Sequence, residues 1–177
     1  RYLLRRKFDV ERLYTRPIPY QIRLDPITPG GLSGIAFNAN GVLFGSTIRG
    51  SGSTSQLVQI NPDTGLLIST MGDITVGVGG AKISIGDLAF QPGTDVLFGI
   101  RSNTDNAGLG GELYTIDTAT GVGTFIGNTG AGAGGGIAFA PDGRLYQTSH
   151  NNNFDFTSLN TLDATNASRI ATVAIVF

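Results

Sequence analysis

The chain has one histidine, His150, and it sits in the stretch Ser149-His150-Asn151-Asn152-Asn153-Phe154-Asp155. A serine, a histidine and an aspartate so close together hold the atoms of a hydrolytic triad. Such triads, however, are assembled in space from distant segments and need an oxyanion hole, and nothing flanking His150 supplies that setting. The same stretch has two counterparts, Ser46-Thr47-Ile48-Arg49-Gly50-Ser51-Gly52-Ser53 and Arg101-Ser102-Asn103-Thr104-Asp105-Asn106-Ala107-Gly108. All three are rich in hydroxyls and amides, with Arg49, Arg101, Asn103, Asp105, His150 and Asn152 as the side chains best suited to hold a ligand. Gathered on one surface, they would suit sugar hydroxyls or a protein partner.

Other chemistries are poorly served. There is no cysteine, which removes disulfides, thiolate metal sites and a cysteine nucleophile. The alternating acidic series of a calcium-binding helix-loop-helix is absent, so no metal site is expected. The glycine runs Gly77-Val78-Gly79-Gly80 and Gly127 to Gly136 resemble phosphate loops in composition only. Neither is followed by Lys-Ser/Thr or by a helix whose N-terminus could hold a phosphate, so they read as flexible connections and no cofactor is expected. Asn166-Ala167-Ser168 is a glycosylation sequon, informative only in a secreting eukaryote.

The elements that must position these loops follow from an internal repeat. Ile35-Ala36-Phe37 with Leu43-Phe44-Gly45 returns as Leu88-Ala89-Phe90 with Leu97-Phe98-Gly99, and again as Ile137-Ala138-Phe139 with Leu145-Tyr146. A second phrase follows each copy: Leu57-Val58-Gln59-Ile60-Asn61-Pro62-Asp63-Thr64-Gly65, then Leu113-Tyr114-Thr115-Ile116-Asp117-Thr118-Ala119-Thr120-Gly121, then a worn version at 159–165. Short apolar runs flanked by Gly, Pro, Asn and Asp are strands joined by turns, and 27 glycines disfavour helices. Each copy is expected to hold four strands: 34–38, 42–47, 56–60 and 66–71, then 86–90, 96–101, 112–116 and 123–126, then 136–140, 144–149, 158–162 and 169–176. Four antiparallel strands repeating every 40 to 50 residues make a propeller blade. Ala36, Ala89 and Ala138 would suit the crowded innermost strands. Phe37, Phe90 and Phe139, with Phe44, Phe98 and Tyr146, would fill the layers between blades.

This pattern resembles the divergent propeller repeats of secreted and cell-surface bacterial proteins, over Gly31 to Phe177. The resemblance implies an all-β fold and an extracellular or particle-surface location. It brings no catalytic motif onto these positions, and the Trp-Asp signature of another propeller class is missing because the chain has no tryptophan. The expected organisation is an N-terminal arm with a possible partial blade over 1–30, then blades over 31–84, 85–134 and 135–177.

Three blades do not close a ring of the usual four to eight. The expectation is therefore a partial ring, completed by self-association or by a partner chain, because open arrays expose strand edges. Residues 1–25 carry a net charge of +4 and the remainder −5. That basic arm, with Tyr2, Leu3, Leu4, Phe8, Arg12 and Tyr14, is the candidate docking element. Nucleic-acid binding is not expected of it, and no run of residues is apolar enough for a membrane helix. The function these features imply is a non-catalytic structural or interaction module, not an enzyme, with a carbohydrate- or protein-binding, lectin-like propeller as the alternative.

Overall fold

A computed structural model describes residues 31–47, 54–102, 110–132, 135–150 and 157–175. The N-terminal arm, with its assembly residues and partial blade, lies outside these. Every regular element among the described residues is a strand. The first sheet holds β1 (Leu32–Phe37), β2 (Leu43–Thr47), β3 (Gln56–Ile60) and β4 (Leu67–Asp73) in sequence order. After a short strand, β5 (Thr75–Val76), the second sheet is formed by β6 (Ile85–Phe90), β7 (Leu97–Arg101), β8 (Glu112–Ile116) and β9 (Val122–Asn128). The third holds β10 (Ile137–Phe139), β11 (Leu145–His150), β12 (Thr157–Leu162) and β13 (Arg169–Ala174). Each repeat is thus a four-stranded antiparallel propeller blade, as the sequence leads one to expect.

The turns have the chemistry read from the sequence. Asn38 accepts the amides of Asn40 and Val42 with Oδ1. In the second phrase, Asn61, Asp117 and Asp163 each accept the amide two residues on, and Gly65 and Gly121 take the left-handed conformation that follows. The worn third copy places Ala167 there instead, at φ 63°.

Two apolar clusters glue the blades face to face. Between blades 1 and 2, Ala36, Phe44 and Leu57 of the first meet Leu88, Leu97 and Ile116 of the second. Between blades 2 and 3 the same positions recur: Ala89, Phe98 and Leu113 meet Ile137, Leu145 and Leu162. Even the aromatic pair repeats, Phe44 on Phe90 at 5.7 Å and Phe98 on Phe139 at 5.1 Å between ring centroids. Phe37 departs from the expected core role, being 54% exposed, because no described blade covers its side of β1.

The glycine-rich connection after blade 1 is more ordered than its composition suggests. β5 runs parallel to β9, the outermost strand of blade 2, and makes that sheet five-stranded. Beyond it, Val76 and Ala81 are hydrogen-bonded across a tight turn through Gly77 to Gly80. Gly127 likewise belongs to β9, where an added Cβ would lie 2.4 Å from the carbonyl oxygen of Asn166.

Candidate functional site

β6 is the inner strand of blade 2, and β1 and β10 pack on either side of it. Near its start stands Asp87. The Oδ2 atom of Asp87 accepts the amide of Ile137, 2.8 Å away on blade 3. Toward blade 1 the carboxylate lies over Gly34, where a Cβ would come within 2.6 Å of Oδ1. Gly136 flanks it on the other side, its would-be Cβ 3.1 Å from Oδ2. Two glycines, Gly34 in β1 and Gly136 just before β10, therefore leave the space that one acid fills. Leu32, Ser33, Gly34, Ile35 and Asp87 line an open groove of about 390 Å³.

Burial outweighs the amides of Ile137 and Leu88 and raises the Asp87 pKa above the ordinary carboxylate range. Ser33 braces the groove: its hydroxyl lies 2.6 Å from the Ile85 carbonyl oxygen, to which it donates, and 2.8 Å from Ser46 Oγ.

This end of the blades is also where the polar segments singled out by sequence begin. Thr47 pairs with Leu32 and Arg101 with Ile85, so β2 and β7 finish beside the start of the inner strands. Arg49, Asn103, Asp105 and Asn152 lie outside the described residues. His150 is the last residue of β11, paired with Thr157, rather than part of the loop that follows. Arg101 is taken up within its own blade. Its guanidinium donates to Glu112 at 2.7 Å, and the Tyr114 hydroxyl donates to the same carboxylate oxygen at 2.7 Å. Burial, then the hydrogen bond to Glu112, pushes the Tyr114 pKa well above its usual value. The equivalent cross-strand positions in blade 3, Ser149 and Ser158, are joined through their hydroxyls at 2.8 Å.

A larger groove, about 720 Å³, lies at the opposite end of blade 2 between Val78, Leu97, Asp95 and Asp117. Its carboxylates serve turns. Asp95 accepts the amide of Ala39, and Asp117 is held below its usual pKa by the Thr120 hydroxyl and the Ala119 amide. Among the described residues no three His, Cys, Asp or Glu side chains come together as a metal would need.

Asp87 belongs to no motif, yet the repeat marks it. Aligning Ile35, Leu88 and Ile137 puts Gly34, Asp87 and Gly136 in one column. A carboxylate where both neighbours have glycine is a local departure from the repeat.

Fold and site together define an all-β propeller array with one partly buried acid on its inner strands. No family model and no curated protein matches the chain. Solved structures do. The chain resembles hydrazine synthase of Kuenenia stuttgartiensis, with a TM-score of 0.55 and 12% identity over 80% of this chain and 36% of that one. It also resembles the calcium-binding protein regucalcin of Agrobacterium tumefaciens, with a TM-score of 0.52 and 15% identity over 78% of this chain and 43% of that one. The Dos1 propeller is matched at a TM-score of 0.44 and 17% identity, over 85% of this chain and 35% of that one. The chain spans less than half the length of each. The comparison corrects one expectation from the sequence, that of a non-catalytic structural or lectin-like module that is not an enzyme. That expectation rests on the lack of cysteine, the lone histidine and the absence of a transferable catalytic motif. An enzyme, hydrazine synthase, shares the fold, so a propeller array without a recognisable motif is not thereby non-catalytic.

Proposed function

We propose that the chain contributes the axial site of a catalytic propeller, with Asp87 as hydrogen-bond acceptor and general base toward a small polar molecule held in the groove beside Ser33 and Gly34. The carrying observation is the Gly34, Asp87, Gly136 column: two blades give up a side chain where the third presents a carboxylate. A carboxylate with a raised pKa is a stronger base than an exposed one, and perturbed acids in clefts concentrate at functional sites. The calcium binding named for regucalcin supports no parallel here, since one carboxylate does not make a cation site.

A thermal-shift screen of small polar compounds, sugars and amines among them, on the full chain and on Asp87→Asn tests this. Compounds that raise the Tm of the wild type are expected to lose that effect on Asp87→Asn, while the variant keeps its own transition. Equal shifts on both proteins, or no compound that shifts the wild type, would overturn the assignment.

A further inference from the structure

The two blade junctions follow one rule, and the chain carries both halves of a third. In each junction one blade presents Ala, Phe and Leu from its first three strands: Ala36, Phe44 and Leu57, then Ala89, Phe98 and Leu113. The blade that follows presents larger aliphatics on the face turned toward them, Leu88, Leu97 and Ile116, then Ile137, Leu145 and Leu162.

Blade 3 has the first kind of face still open. Its residues at these positions are Ala138, which is exposed, and Tyr146 and Leu159, which are half-buried. Blade 1 leaves the inner edge of the second kind open. Leu43, Val58 and Ile60 are buried in a cluster of their own, but Ile35 and Phe37 beside it are each 54% exposed, whereas Leu88, the counterpart of Ile35, is 3% exposed. Exposed aliphatic and aromatic side chains grouped on one sheet face mark an interaction surface.

We propose that a second copy of this chain occupies both faces, blade 3 of each copy packing on blade 1 of the other to close a six-bladed ring with two identical new junctions. The occupant follows from two observations. The open faces continue an interface the molecule has already built twice, so what fits the Ile35 face is an Ala-Phe/Tyr-Leu face, and the described residues hold one unpaired. Two sets of three blades also make six, within the usual four to eight. The closure predicts a contact: Tyr146 of one copy stacks at a tilt on Phe37 of the other, as Phe44 does on Phe90 and Phe98 on Phe139.

The outer edge of this junction differs from the other two. Gly72 and Gly127, opposite Leu57 and Leu113, lie under turn carbonyls of the following blade, those of Thr120 and Asn166. The residue opposite Leu159 is Val173. The inner three strands therefore carry the closure, and the outer edge stands wider by about a side chain.

The test is light scattering of the full 177-residue chain, with Phe37→Asp and Tyr146→Asp measured alone and mixed, and circular dichroism to confirm that each variant keeps its strands. The wild type is expected at twice the mass of one chain, and each variant alone at the mass of one. Mixing the two variants restores one unblemished junction per pair, since one copy offers an intact Phe37 face and the other an intact Tyr146 face, so dimer reappears in the mixture. A wild type that stays monomeric overturns the proposal. So do variants that remain dimeric, or a mixture that gains nothing, which would point instead to cover from residues 1–30 or from other blades.

Discussion

Blades 1 and 2 carry nearly the same residues on the same face, in opposite surroundings. Leu32 and Ile85 occupy one position of that face; Leu32 is 37% exposed and Ile85 fully buried. What differs is whether a preceding blade is there. An apolar residue in a repeat array is neither core nor surface by type, because each unit buries its face only against a neighbour. The exposed apolar residues on the outer face of β1 are therefore an unpaired copy of the core the next blade builds, and a composition-based reading would take Ile35 and Phe37 for interior residues.

Truncating equivalent side chains separates the two blades most clearly. Leu88→Ala removes a side chain packed between two blades and is expected to cost about 2–5 kcal/mol in chemical denaturation. Ile35→Ala, at the matching open position, is expected to cost less than about 1 kcal/mol under conditions where the chain is monomeric. Equal costs would mean that the Ile35 face is covered even in the monomer.

Blade 3 differs from both at one buried position. The position held by Gly45 and Gly99 in the first two blades is Gln147 in the third, fully buried with neither amide atom hydrogen-bonded. Across from it, in place of Val58 and Tyr114, stands Asn160, which is satisfied by Ser149 and Thr172. An orphaned buried amide is costly, so Gln147→Met, of similar volume, is expected to raise stability by about 1–2 kcal/mol. A lower Tm for that variant would show that a bound water or other partner satisfies the amide in solution.

The smallest effect concerns Asp87 and its glycine counterparts. Burial favours the protonated form of its carboxyl, so its folded pKa lies above its unfolded one. Stability that depends on this group is then fully present below the unfolded pKa and lost as pH rises through the folded value. Asp87→Asn, which keeps an acceptor for the Ile137 amide, is expected to match the wild type near pH 3 and to exceed its Tm by about 2 °C at pH 7. A variant less stable than wild type at neutral pH would assign Asp87 to holding β10 rather than to a site.

The blade count and nearly every strand were legible because the repeat shows the same residues in the same order three times, and period-two alternation with Asn, Asp and Gly turns is local chemistry. The strand β5 was not, since Thr75 and Val76 look like part of a glycine-rich linker and pair only because the chain crosses to β9. In the sequence Arg101 reads as a ligand-holding side chain at the end of a strand, beside Ser102 and Asn103. Glu112 and Tyr114, brought across from β8, take it up instead. Asp87 was visible in the aligned copies, but its significance rests on the two glycines that face it from neighbouring blades.

The repeat unit is local: a four-stranded blade, its turns and the alternation that gives each sheet two apolar faces rest on contacts between residues close in the chain, which propensity and pattern encode. Which faces meet, which acid is enclosed and which apolar stripes stay open depend on how the blades stack, because stacking similar units leaves equivalent residues in inequivalent places.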